Sequence, residues 1–300
     1  MTRRHHPPLT AFLVGVLGIA LFSGMDAVMK GLVLAIGTIA TMFWRNLIGI
    51  GLSGALYLPR RSGWPNASTM RIHLARGLLS TGMGFLFFWG IGRVPLAQAI
   101  ALAFIAPLIA LYLASLLLGE TVGRRTVAAS VVAFAGVVVI FVGQAQADLG
   151  REALIGSVAI LASAVLYALN IIIMRQQALV ADPLEITFFQ SVIVTFCLLA
   201  ILPFVGIASP PGTAWPGLLL AALLAIASLL LLSWAYARAE ASYLAATEYT
   251  AFLWAALFGW MFFEESVSPY TLAGAGLIVA GCILAARRPE EASPTLEAAT

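Results

Sequence analysis

One pattern constrains this chain more than any other: a run of roughly twenty apolar residues, interrupted by a few polar ones, recurs ten times between Thr10 and Ala286. A helix rises about 1.5 Å per residue, so twenty residues match the ~30 Å hydrocarbon core of a bilayer. The spans are read as 10–29, 38–57, 73–91, 96–118, 125–143, 154–174, 184–204, 215–236, 242–262 and 269–286. Composition points the same way, because 62% of the residues are hydrophobic and only 10% charged. A soluble domain carries about 25% charged residues to cover its surface. Barrel strands would be half as long and would alternate. The chain is therefore expected to be an all-α integral membrane protein with ten transmembrane helices.

The interruptions carry turn chemistry: Pro59 with Arg60 and Arg61, Gly92 to Pro95, Gly123 to Arg125, Asp182-Pro183 and Pro210-Pro211. Lys and Arg are unevenly shared between the two sets of loops. Arg3, Arg4, Arg60, Arg61, Arg71, Arg124, Arg125, Arg175, Arg238, Arg287 and Arg288 fall on one side, and Lys30, Arg93 and Arg151 on the other. The side rich in positive charge is the cytoplasmic one, so both termini are expected there, in a bacterial-type inner membrane. The first apolar run follows Arg3 and Arg4 like a signal peptide, but it lacks a small-residue cleavage site and is read as the retained first helix.

Sliding the chain by 145 positions superposes Trp89 on Trp234, Arg93 on Arg238, Glu120 on Glu265, Val122 on Val267, Thr126 on Thr271, Gly136 on Gly281 and Phe43 on Phe188. The chain thus divides into residues 1–145, residues 146–288 and a flexible cytoplasmic tail, 289–300. Each half holds five helices, an odd number, so the second enters the membrane from the opposite side. Inverted repeats of this kind are a recurrent plan of secondary transporters, with substrate near the midplane.

Several segments resemble those of the drug/metabolite transporter superfamily, specifically its EamA-like carriers. They are Met25-Asp26-Ala27-Val28-Met29-Lys30, Phe43-Trp44-Arg45-Asn46, His73-Leu74-Ala75-Arg76-Gly77, Ala106-Pro107 through Leu118-Gly119-Glu120, and Glu248-Tyr249-Thr250 through Trp254 to Phe263-Glu264-Glu265. The resemblance covers residues 10–286. Phe252 stands where the repeat would place a counterpart of Pro107. Membership implies a carrier of amino acids, S-adenosylmethionine, nucleotide derivatives, sugars or drugs, and the amino-acid exporters are the subgroup favoured.

Charged and polar residues inside spans are the candidates for function, because each costs several kcal/mol in hydrocarbon unless it meets a partner, water or substrate. Glu248, flanked by Tyr249 and Thr250, either contacts a substrate amine and carries protons or makes a helix-to-helix bond. Its repeat mate is Ala103. Mostly small residues line one face of the fourth span (Ala99, Ala103, Ala106, Pro107, Ala110) and of the ninth (Leu244, Glu248, Ala251, Ala255, Gly259), which fits a cavity wall or a close helix crossing. Tyr243, Tyr249, Tyr167, Trp254, Phe252, Gln98 and Asn170 complete the expected substrate path, with Asn170 as the polar counterpart of Asp26. Trp89 and Trp234 are assigned to interfacial belts.

Asp26, Lys30, Arg45 and Arg76 are read as gating or structural charges, with Asp26 and Lys30 one turn apart and able to pair. Glu120 and Glu265 are expected to cap a helix or hold a gate. Pro107 supplies a hinge or a freed carbonyl. Cys197 and Cys282 read as buried small hydrophobes, and His5, His6 and His73 lack ligand spacing, so no metal and no cofactor are expected. The expected partners are a small-molecule substrate and the lipid bilayer, with no nucleic acid and no obligate protein. An exporter of amino acids or related metabolites working by alternating access is the favoured function. The alternative is an uptake carrier for S-adenosylmethionine, nucleotide-like metabolites or drugs. An intramembrane enzyme lacks an HExxH, aspartate-pair or Ser/Lys constellation, so the chain is not expected to be an enzyme. A channel would show a filter or charged ring, and an ATP-driven pump would need a Walker segment.

Overall fold

The computed structural model describes residues 8–61, 63–118, 124–146, 150–205, 210–238, 244 and 247–286. The helices are α1 (Pro8–Ile36), α2 (Thr38–Tyr57), α3 (Ala67–Ile91), α4 (Leu96–Ala103), α5 (Ala106–Leu118), α6 (Arg124–Gln146), α7 (Gly150–Ala178), α8 (Pro183–Val205), α9 (Trp215–Tyr236), α10 (Thr250–Phe263) and α11 (Pro269–Ala286). Because α4 and α5 form one broken span, these are ten apolar segments. Six are long enough to cross a bilayer unaided and four are shorter. Large apolar side chains such as Leu13, Leu17, Val131, Phe134, Phe204 and Trp260 point outwards, as lipid-facing helices require.

Helix ends follow local chemistry. Helix α1 runs seven residues past the expected Met29 and stops at Gly37, whose φ of 82° is costly for any residue with a Cβ. The Asn66 side chain accepts the Thr69 N–H to start α3. Asp182 likewise accepts from the N–H groups of Leu184 and Glu185, with Pro183 in the first turn of α8. Helix α10 ends with Glu264 in the left-handed region (φ 55°) and a bond from the Glu265 N–H to the Gly259 carbonyl, 3.1 Å.

The fourth span, expected as continuous over 96–118, is broken at Phe104 and Ile105. Pro107 is the cause. Its ring displaces the carbonyl of residue 103 and it offers no N–H to that turn. The break therefore falls before the proline rather than at it. The Phe104 carbonyl accepts instead from the Cys282 thiol of α11, 3.2 Å.

The packing is two-fold. The repeat register pairs α1 with α7, α2 with α8, α3 with α9, α4–α5 with α10, and α6 with α11. Helix α1 lies along α9 while its mate α7 lies along α3; α6 packs on α11, α2 on α8, and α4 on α10. The register also repeats in detail. Arg93 stacks over Trp89 at 3.5 Å and donates to the Trp89 carbonyl at 3.0 Å; Arg238 stacks over Trp234 at 4.1 Å and donates to the Trp234 carbonyl at 3.1 Å. These tryptophans do more than sit in a belt, because each holds an arginine across its helix end. The molecule is a ten-helix membrane protein of two inverted five-helix repeats.

At the α6–α11 crossing the backbones touch. A Cβ at Gly136 would lie 2.5 Å from the Gly274 carbonyl oxygen, and one at Gly274 would lie 2.6 Å from the Gly136 oxygen. A carbonyl in a helix cannot swing aside as a side chain can. Gly136→Ala is expected to cost about 1–3 kcal/mol, seen as a lowered thermal midpoint of the purified protein. An unchanged midpoint would show that the crossing yields.

Candidate functional site

Helix α1 defines two faces, the terminal face where it starts and the far face where it ends. Lys30, Val94, Leu96 and Glu265 meet near the far face. The Lys30 ammonium forms an ion pair with Glu265 Oε1 and donates to the Val94 carbonyl at 2.6 Å. Glu265 Oε2 accepts the Leu96 N–H at 2.7 Å, at the start of α4. A carboxylate there satisfies an orphan N–H and complements the helix dipole. Lys30 is buried and also lies over the Phe263 ring at 5.2 Å. One carboxylate from the second repeat thus ties together α1 and α4 of the first near the far face.

Lys30 does not pair with Asp26 as expected, because Glu265 and the Val94 carbonyl saturate it. Asp26 is buried, with Oδ2 lacking a hydrogen-bond partner among the described residues, and Arg45 of α2 is the charge that acts on it. Gln98, expected on the substrate path, is occupied. Its amide donates to Gln144 at 3.3 Å and to Ser157 at 3.2 Å, fastening α4 to α6 and α7. Ala99, Ala255 and Gly259 are buried where α4 and α10 cross, and Ala106 is buried at the start of α5, so half of the small-residue stripe serves close packing. Ala103 and Pro107 flank the break.

The half nearer the terminal face is different. Arg76 of α3 is buried, and its Nε and Nη1 donate to the neutral amides of Asn170 (3.2 Å) and Gln177 (2.5 Å) on α7. Ser80 also reaches Asn170, at 3.5 Å. Among the described residues the ion pairs are Lys30–Glu265, His73–Glu185 and Arg93–Glu152, so Arg76 has no carboxylate partner. Towards the face the chain continues from Gln177 to His73 at 2.6 Å, to Glu185 at 3.0 Å, and to the Tyr57 hydroxyl at 3.3 Å.

Glu248 is exposed, and one of its oxygens accepts from the Tyr236 hydroxyl at 3.0 Å. Tyr167 of α7 stands one turn from Asn170, which holds Arg76, and is near enough to Arg76 and Glu248 to feel both charges. It is 41% exposed although mid-span. At about 100° per residue it sits roughly 200° around α7 from lipid-facing Val165, on a different face of the helix. Tyr249 packs edge-on against Phe104 at 5.7 Å, bringing the α4–α5 break to the same place. Trp254 stacks on Phe258, its buried ring N–H without a partner among the described residues; Phe252 is in the core. Tyr243 and Glu120 lie outside the described residues. Tyr236 and Gln177 were not legible in the sequence, although Tyr236 stands only 12 positions before Glu248.

An ionic tie at the far face, polar and aromatic side chains grouped towards the terminal face, and a two-fold inverted frame are the parts of a carrier. The model of the EamA-like transporter family matches residues 9–142 and again 154–287. The chain belongs to the EamA-like transporter family and is a membrane transporter. It is similar to the pseudopaline exporter CntI of Pseudomonas aeruginosa, 26% identical over 277 residues, 92% of this chain and 95% of the relative. It is also similar to a riboflavin transporter of Rhizobium johnstonii, 31% identical over 216 residues, 72% of this chain and 70% of that one. A solved crystal structure shares the fold with a TM-score of 0.60 at 22% identity, covering 93% of this chain and 97% of its own.

Proposed function

We propose that this EamA-like transporter exports amino acids, aromatic ones included, or related small metabolites by alternating access across an inner membrane, with both termini cytoplasmic. The observation that carries the reading is the asymmetry between the two ends. Lys30 and Glu265 tie the helices together at the far face, while Tyr167 and Glu248 are exposed in the other half. With eleven Lys and Arg on the terminal side against three on the other, that half faces the cytoplasm, where an exported metabolite would enter. The likeness to a pseudopaline exporter supports export.

The test is transport by the purified chain in proteoliposomes, across a panel of amino acids with S-adenosylmethionine, nucleosides and riboflavin included. Saturable movement of at least one amino acid is expected. Movement of riboflavin or nucleosides without any amino acid would instead favour the second reading, a carrier of nucleotide-like metabolites, which the riboflavin-transporting relative supports. Failure of the entire panel would sink both.

A further inference from the structure

Arg76 and Glu248 pose a common problem. Each is a charge within the apolar part of the molecule, and neither has an opposite charge to neutralise it among the described residues. A guanidinium has five N–H groups, and Arg76 commits two of them, to Asn170 and Gln177. Those amides fix its orientation without cancelling its charge. Glu248 commits one oxygen to the Tyr236 hydroxyl and keeps the other free. Arg76 is held by Asn170 one turn from Tyr167, and Glu248 adjoins Tyr249, whose ring meets Phe104 at the α4–α5 break, where the fourth span packs on α7. A structural pair would have closed on itself, as Lys30 and Glu265 do. This arrangement holds a cation and an anion apart.

We infer that Arg76 and Glu248 are the two poles of a zwitterion site, Arg76 receiving the substrate's carboxylate and Glu248 its ammonium group, with Tyr167 near both. The inference rests on the proposed export of amino acids and narrows it to substrates that carry both charges. A guanidinium fork matches a carboxylate in two parallel N–H···O bonds, which an ammonium cannot reproduce. The aromatic rings of Tyr167, Tyr249 and Phe104 supply the apolar wall for a side chain. Bound substrate completes the neutralisation that the protein leaves unfinished, so an empty site favours taking up a molecule with both ends.

The test uses three probes with the full chain in nanodiscs: phenylalanine, phenylalaninamide without the carboxylate, and N-acetylphenylalanine without the ammonium. The wild type is expected to bind phenylalanine at least tenfold more tightly than either one-ended probe. Glu248→Gln should abolish the preference over N-acetylphenylalanine and keep the preference over phenylalaninamide. Arg76→Gln should do the reverse, with Arg76→Lys retaining part of the discrimination. Because Glu248 has a single phenol partner, its variant tests the idea even where Arg76→Gln fails to fold. Variants that weaken all three probes equally would overturn the inference, since a structural role predicts that pattern. Equal binding of all three probes by the wild type would overturn it too, while leaving the transport panel to decide the carrier reading.

Discussion

Replacing Glu265 by alanine is expected to open the far face. The readout is the labelling rate of a cysteine placed at Ala97, buried in the first turn of α4, by a membrane-impermeant maleimide in a background without Cys197 and Cys282. The wild type should label slowly. Glu265→Ala strips Lys30 of its counter-ion and Leu96 of its N-terminal cap in one step. Breaking one partner of a buried ion pair costs about 3–5 kcal/mol, because the other charge stays behind. Even half of that, directed at the closed state alone, changes the open population and the labelling rate by tenfold or more, and the whole by over a hundredfold. Glu265→Gln keeps an acceptor for the Leu96 N–H, so it should fall between the two. Equal labelling in all three proteins would mean that apolar packing closes this end without the lock.

The ten spans were legible because hydropathy is a local property, and the inverted frame because its register leaves paired residues such as Trp89 with Trp234. The lock was not. Lys30 and Glu265 are 235 positions apart, and the nearest acid in sequence, Asp26, offered a plausible but wrong partner on the same helix. What decides between them is tertiary placement, since Lys30 lies at the helix end beside the Val94 carbonyl while Asp26 stays a turn deeper with Arg45. The small-residue stripe was visible as a pattern, yet its two meanings, cavity and crossing, use the same residues. Burial of Ala99, Ala255 and Gly259 separates them. Arg76 illustrates the opposite failure. Sequence suggests an interior ion pair, and only the geometry reveals amides in place of an acid.

A mirror-image effect is expected at the opposite end. The 145-residue register carries Glu265 onto Glu120 and Lys30 onto Arg175, so the sequence supplies a second carboxylate and a second cation at matching repeat positions. In an inverted repeat the contacts that close one face in one state have counterparts that close the other face in the other state. Glu120→Ala should therefore leave the Lys30–Glu265 lock untouched and remove closure from the terminal face. At Ala97 its labelling should fall below the wild-type rate, because the population shifts towards the state with the far face shut. Combined with Glu265→Ala, the labelling rate should return towards wild type, since both closed states then lose a comparable stabilisation and their ratio is restored. Labelling at Ala97 that stays as fast in the double variant as in Glu265→Ala alone would show that Glu120 does not bias the equilibrium. It would confine the ionic lock to one face, and the second repeat would then have kept a device whose counterpart the first had lost.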